Sequence, residues 1–198
     1  MSTARILIAY ATSHGQTAKI ARYMADRFTD AGDSVTIVDA GELSRNRDLP
    51  HGQTMRDFDA VVIGASVLYG RHQRSARAFA RAHHDALNAM PSAFYSVSGS
   101  ASGEDTASQA EARRLADAFH RETGWHPQVS ETVAGAMAYT RYSPPLRWVL
   151  KRISARRGGP VDTGRDHEMT DWAQVRRIVS AVDARVHAHD GVTVPAPA

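Results

Sequence analysis

At 198 residues and without cysteine, the chain is long enough for one domain with a full core, and it excludes disulfides, thiolate catalysis and zinc–thiolate sites. The 24 basic and 21 acidic residues leave a net charge of +3, and the excess is local: six cations and no acid lie between Arg141 and Arg157, which leaves 18 basic against 21 acidic residues elsewhere. The longest uncharged apolar stretch, Ala60 to Gly70, is far below the roughly 20 residues that span a bilayer, and the start of the chain runs almost directly into a core strand with no secretory signal.

The first predicted element is a strand over Ile6, Leu7, Ile8 and Ala9, a continuous apolar run of the kind buried on both faces. Small hydroxylated residues and one glycine then break the run at Thr12-Ser13-His14-Gly15-Gln16-Thr17. Helical spacing follows in Ile20, Ala21, Met24, Ala25 and Phe28. Strand, hydroxyl-rich loop and helix in that order present backbone N–H groups and a positive helix end to an anion. Thr12, Ser13 and Thr17 add neutral donors, and the loop itself has no Lys or Arg. An ordinary strand-to-helix turn with Thr17 as helix cap is the alternative. Neither G-x-G-x-x-G after this strand nor a G-x-x-x-x-G-K-S/T loop anywhere is present. The pattern T-S-H-G-Q-T resembles the phosphate loop of flavodoxins, (S/T)-x-x-G-x-T, and that resemblance implies FMN.

Asp33 to Asp39 alternates and predicts an outer strand, and Gly41 to Asp57 reads as a polar loop with one helical turn. Asp59 to Ser66 is the next buried strand, leading into Val67-Leu68-Tyr69-Gly70, a loop with an aromatic at its tip. A helix is predicted over Gln73–Asn88, a third buried strand over Pro91–Val97, and a flexible loop over Ser98–Gly103. Asp105–Thr123 is helical with Gly124 as C-cap, and Val129–Met137 is a fifth strand. The last helix runs from about Asp171 to His189 with Thr170 placed to cap it, and Val192–Ala198 reads as a disordered tail beyond a domain of residues 1–190. No internal repeat is visible.

Strands alternating with helices argue for an α/β fold, a doubly wound five-stranded parallel sheet in the flavodoxin-like order 2-1-3-4-5. Ligands of such sheets bind beyond the carboxyl ends of the strands. Three loops rich in small or hydroxylated residues meet there: Thr12–Thr17, Ser66–Arg71 and Ser96–Gly103.

About 30 residues, Tyr139 to Met169, separate the fifth strand from the last helix. Pro144 and Pro145 start a helix in this insertion, and Gly158-Gly159-Pro160 ends it. Leu146, Val149, Leu150 and Ile153 form one apolar stripe with Arg147, Lys151, Arg152 and Arg156 around it. Two readings stand: a surface helix packed on the domain with solvated cations, or a helix lying on an anionic membrane surface. Nucleic-acid binding finds no reader motif. The ten histidines are too scattered to suggest a metal site.

Several stretches together match something narrower: Val61–His72, Met90–Val97, Ala134–Tyr142, Gly158-Gly159 and Thr170-Asp171-Trp172. With the Thr12–Thr17 loop, the chain resembles the flavodoxin-type, quinone-dependent protoporphyrinogen oxidases of bacterial haem biosynthesis. The resemblance implies FMN, six-electron oxidation of protoporphyrinogen IX to protoporphyrin IX, a quinone such as menaquinone as acceptor, and peripheral attachment to the cytoplasmic side of the cell membrane. It implies a cofactor set of Thr12, Ser13, His14, Gly15, Gln16, Thr17, Ser66, Tyr69, Gly70, Phe94, Ser96, Val97, Ser98 and Gly99. Tyr69 is placed to stack on or border the isoalloxazine, and Ser96 to Gly99 face its other edge. Arg71, Arg141 and Arg147 are candidates for the substrate propionates, and Lys151 and Arg152 join them as candidate substrate or membrane contacts. No side chain stands out as an essential acid or base; His14 and His72 are candidate proton shuttles. The chain departs from the family pattern at Ser98 to Thr106, which is Ser/Gly/Ala-rich rather than basic.

A one-electron flavodoxin, an NAD(P)H:quinone reductase on the same fold and a non-catalytic membrane adaptor remain as rivals. The pI near 9.5 and the basic insertion count against the first, since such carriers are typically acidic. No segment identifies a nicotinamide pocket for the second, and failure to bind FMN would mark the third. A homo-oligomer is left open.

Overall fold

Alternation along the strands sorts the apolar residues onto two faces. In β1 (Arg5–Ala11), Ile6 and Ile8 join one core cluster while Leu7 and Ala9 join the other. The computed structural model describes residues 3–46, 49–103, 105–137, 139–156 and 159–190. The other strands are β2 (Ser34–Asp39), β3 (Ala60–Leu68), β4 (Arg71–His72), β5 (Ser92–Ser98), β6 (Val129–Ala134), β7 (Ala136–Met137) and β8 (His167–Glu168). The long strands pair in parallel in the order β2-β1-β3-β5-β6, which is the expected 2-1-3-4-5 counted over those five, and the short β4 folds back antiparallel on β3.

Helices α1 (Gln16–Asp30) and α7 (Trp172–Asp190) cover one face through Ile20, Met24, Phe28, Val175, Ile178 and Val182. The other face is covered by α2 (Ala40–Asn46), α3 (Arg74–Ala82), α4 (His84–Ala89) and α5 (Thr106–Thr123), with Phe79, Leu87, Phe119 and the fully buried Trp125 in its core. Helix α6 (Pro144–Arg156) lies in the insertion.

Local boundaries differ from expectation in several places. The polar stretch after β2 contains a two-turn helix, α2, rather than a loop with one turn. The helix expected over Gln73–Asn88 breaks at His83, which leaves helical geometry at φ −120°, ψ 13° with no Gly or Pro to announce it. The fifth strand stops at Ala134: Gly135 N–H bonds to Ser98 O at 3.2 Å, and the chain then pairs Ala136 and Met137 antiparallel with Glu168 and His167. Thr170 does not cap α7. Its hydroxyl donates to Ala134 O at 2.8 Å, and Asp171 caps instead by accepting Ala173 N–H at 2.8 Å. Ser98–Gly103 is a built 3₁₀ turn: Ser98 Oγ accepts Ala101 N–H, and Ser102 Oγ donates to Gly99 O at 2.7 Å.

The insertion has a small core of its own. Tyr139 and Tyr142 pack with Met137 and Leu150, and Pro160 O accepts both the Tyr139 hydroxyl at 2.8 Å and the Ser154 hydroxyl at 2.7 Å. Of the expected apolar stripe, Leu150 joins this core while Val149 faces outward. The side chains of Leu146, Ile153 and Arg156 lie outside the described set, as do Arg157, Gly158 and the stretch 191–198 expected to be a disordered tail.

Candidate functional site

Three loops leave the carboxyl ends of β1, β3 and β5, and the parallel register sets those ends side by side: Ala11 pairs with Ala65, and Ser66 with Val97. The first loop is shaped by Gly15, whose φ of +97° lies in the left-handed region and favours glycine. Thr12 Oγ1 accepts Gly15 N–H at 2.9 Å and closes the turn. Helix α1 starts immediately after, without a side-chain cap and without an acid in its first turn. Its leading amides are therefore open to an anion. Thr17 is buried within this first turn, and its hydroxyl has no hydrogen-bond partner among the described residues. An orphaned buried hydroxyl at an acid-free helix start fits a phosphate. It does not fit the alternative of Thr17 as helix cap, since the cap position belongs to Gly15.

Although the loop has no cation of its own, the fold supplies one. Arg141, from the insertion, donates from Nη1 to His14 O at 2.9 Å, and the same nitrogen would stand 3.3 Å from a Cβ placed on Gly15. Tyr142 meets the His14 ring edge-on with centroids 4.9 Å apart. Gln16 Nε2 donates to Thr170 Oγ1 at 2.8 Å, and Lys19 pairs with Glu168. The sequence groups Arg141 with the candidate substrate arginines; in the structure its guanidinium holds the backbone of the Thr12–Thr17 loop. Arg147 is likewise turned inward, donating to Tyr142 O at 3.1 Å. Burial, and secondarily the Arg141 guanidinium, lower the His14 pKa, so the imidazole stays neutral near neutral pH.

In the second loop, Tyr69 and Gly70 both have positive φ, of 50° and 73°, as a two-residue I′ hairpin turn requires. The turn holds Tyr69 82% exposed at the same sheet edge as the phosphate loop. Arg71 beside it is exposed and makes no ion pair among the described residues. Gln73, which the sequence reading missed, ties the loops together. Its amide nitrogen donates to Ser13 Oγ and to Ser66 Oγ, the latter at 3.3 Å. Only the tertiary fold reveals this residue, because Gln at a helix start carries no distinctive pattern.

The third loop divides the candidates. Ser98 and Gly99 stand at the end of β5, Ser98 buried and Gly99 exposed. Val97 is buried in the α1–α7 core. Phe94 is fully buried and stacked on Phe119 with centroids 4.4 Å apart, so its side chain has no face for a cofactor. Ser96 is also fully buried, its hydroxyl held by His72 Nε2 at 2.8 Å. His72 itself is 5% exposed between Phe94 and Phe119, and burial lowers its pKa to about 4. Burial thus encloses the side chains of Phe94, Ser96 and His72 beneath the loops, and leaves only their backbone near the sheet's carboxyl edge.

Lys151 and Arg152 are exposed, with the Arg152 guanidinium 5.6 Å from the centre of the Trp148 ring. Trp148 is 63% exposed and Val149 43%. Trp148 falls outside the i, i+3, i+4, i+7 stripe, so helical spacing does not single it out. No helix among the described residues is long and apolar enough to cross a membrane.

Comparison with known proteins bears on residues across this geometry. A flavodoxin-domain family model matches residues 7–164. The chain is 32% identical over 171 residues to protoporphyrinogen IX dehydrogenase (quinone) of Escherichia coli K12, covering 86% of this chain and 90% of that protein. It is 32% identical over 180 residues to the protein of the same name from Leishmania major, covering 89% of this chain and 73% of the relative. Among solved structures, a short-chain flavodoxin associated with a non-canonical PDU bacterial microcompartment superposes with a TM-score of 0.54 at 12% identity, over 94% of this chain and 99% of the other, a likeness of fold alone.

Proposed function

This chain belongs to the flavodoxin-domain family, within its quinone-linked protoporphyrinogen IX dehydrogenases, and on that premise we propose that it oxidises protoporphyrinogen IX to protoporphyrin IX with FMN as cofactor and a membrane quinone as acceptor. The observation that carries the reading is the phosphate loop and its brace. An acid-free α1 start with an orphaned Thr17 hydroxyl suits a phosphomonoester, and the insertion that separates this chain from a minimal flavodoxin reaches that loop through Arg141.

FMN supplies the acceptance of electrons from the tetrapyrrole and their delivery to the quinone. The chain's own residues bind and orient. Thr12, Ser13 and Thr17 offer hydroxyls to the phosphate, the amides from Gly15 onward offer N–H donors, and Arg141 adds a positive charge at the loop backbone. Gln73 fixes Ser13 against Ser66 and so ties together two of the loops that would hold the cofactor. Tyr69 borders the ring, and Arg71 beside it is the cation best placed to draw a propionate.

Attachment to the cytoplasmic face of the cell membrane belongs to the same reading. Trp148 and Val149 present apolar surface beside Lys151 and Arg152, the composition of an interfacial helix, and a quinone acceptor resides in the bilayer. Each cation near an anionic surface contributes about 1 kcal/mol, enough for reversible docking.

The test mixes flavin-loaded protein anaerobically with protoporphyrinogen IX and a soluble quinone, and follows porphyrin fluorescence. A rise that requires both flavin and quinone is expected. Thr17→Val should weaken FMN binding ten- to a hundredfold, the worth of a hydrogen bond to a charged group, and restore activity only at raised FMN. Flavin-loaded protein that never exceeds background oxidation overturns the oxidase reading in favour of an electron carrier.

A further inference from the structure

At the opposite, amino-terminal edge of the sheet, Asp33 sits in the turn between α1 and β2. It is 7% exposed. One carboxylate oxygen, Oδ1, accepts Ala4 N–H at 3.1 Å, while the other, Oδ2, is buried with no partner among the described residues. Two side chains from the last turns of α7 face it. A carboxylate oxygen of Asp33, a carboxylate oxygen of Asp183 and an imidazole nitrogen of His187 all lie within 4.8 Å of one another. His187 Nε2 is 3.2 Å from Asp183 Oδ1.

We propose that Asp33, Asp183 and His187 form a divalent-metal site of the zinc class that clamps α7 to the entry of β2. Three features point the same way. First, the buried Asp33 Oδ2 has no hydrogen-bond partner among the described residues, and a buried polar atom left unpaired is costly. A divalent cation held by two carboxylates and a neutral imidazole balances both charges. Second, the site lies where two helices end. Helix α1 stops at Asp30, three residues before Asp33, and α7 stops at Asp190, three residues after His187. Both helix ends carry partial negative charge, which favours a cation. Third, the donor set selects among cations. Imidazole with carboxylates suits Zn²⁺ and its neighbours, whereas Mg²⁺ and Ca²⁺ prefer oxygen alone.

The geometry needs only a small closure. Ligand atoms around tetrahedral zinc stand roughly 3.3 Å apart, from bond lengths of about 2.0–2.2 Å. Asp183 and His187 are partly exposed on a helix surface and can rotate toward Asp33, and water completes the coordination. The sequence hid the site because only the i, i+4 pair on α7 is local; its third member is 150 residues away in the chain. The site is remote from the flavin loops, so its role is structural and independent of the proposed reaction.

The experiment uses full-length, FMN-loaded protein without a histidine tag, stripped with EDTA, and titrates Zn²⁺ by calorimetry while recording melting temperature, with Mg²⁺ as the comparison cation. One Zn²⁺ per chain and a saturable rise in Tm are expected, with neither from Mg²⁺. Asp183→Ala and His187→Ala should each weaken binding by at least the roughly 10–100-fold that loss of an outer-shell partner alone produces. Asp33→Asn, which keeps an acceptor for Ala4 N–H, should weaken it similarly and guards against misfolding of the α7 variants. Absence of saturable Zn²⁺ binding by the wild-type chain overturns the proposal. So does binding of unchanged affinity in the α7 variants and Asp33→Asn, which would assign it to other histidines.

Discussion

Single residues show where physics overrides sequence pattern. His72 sits two positions after Gly70 in a loop-like stretch, and its surroundings, not its spacing, decide its role: burial between two aromatic rings, and secondarily the nearby His120 and Arg77, keep it neutral. Its folded pKa of about 4 lies below the ordinary 6.5, so the unfolded chain binds the proton more readily. Stability is therefore retained above about pH 6.5 and lost progressively as pH falls toward 4, by up to about 3 kcal/mol. His72→Gln keeps a partner for Ser96 and removes the titration. Thermal melts across that interval should show a shallower acid decline for the variant, and parallel curves would refute the assignment. The Thr12–Thr17 turn is legible as a loop because small hydroxylated residues and a glycine break a buried apolar run. Arg141 and Gln73 are not legible, since each acts across a tertiary gap, Arg141 from 127 positions away.

Among the elements, the long strands and helices followed directly from periodicity, because each buries a face or a stripe whose spacing is set by backbone geometry. Boundaries failed where tertiary partners took over. The stop of β6 at Ala134 and the displacement of Thr170 from the cap reflect contacts that no local pattern encodes. Helix α6 is the instructive case, since the residues facing out are Trp148 and Val149 rather than cations alone. Replacing both with serine should reduce partition onto anionic vesicles by roughly 30-fold, from about 2 kcal/mol of lost apolar insertion. Co-sedimentation with anionic and zwitterionic vesicles measures this, and Tm should hardly move because neither side chain is buried. Equal partition of variant and wild type would rule out α6 as the docking surface.

In the whole molecule, the sheet core and the cofactor loop are one mechanical unit. Tyr95 crosses β3 so closely that a Cβ on Gly64 would lie 1.9 Å from its Cζ, and the ring is fully buried with nowhere to yield. Its hydroxyl donates to Thr17 O at 3.2 Å, in the first turn of α1. Gly64→Ala should therefore act twice: about 1–3 kcal/mol of overpacking, read as a Tm lower by several degrees, and faster flavin release as Tyr95 loses Thr17. Tyr95→Phe separates the two, losing the hydrogen bond, about 1 kcal/mol, without the clash. A Gly64→Ala protein with unchanged melting and unchanged flavin release would show that the ring has slack. The glycine was visible in the sequence, but its reason was not, for it lies in the register that sets Gly64 against Tyr95.

The antiparallel stitch of β7 to β8 means that the insertion leaves and re-enters the domain through a single doorway, with Met137 paired to His167 and Ala136 to Glu168. On backbone grounds alone the excursion is a cassette that a tight turn could replace. Yet it also carries the guanidinium that grips the backbone of His14. Trimming it would therefore remove a tertiary support of the Thr12–Thr17 loop, so the excursion and the loop stand or fall together.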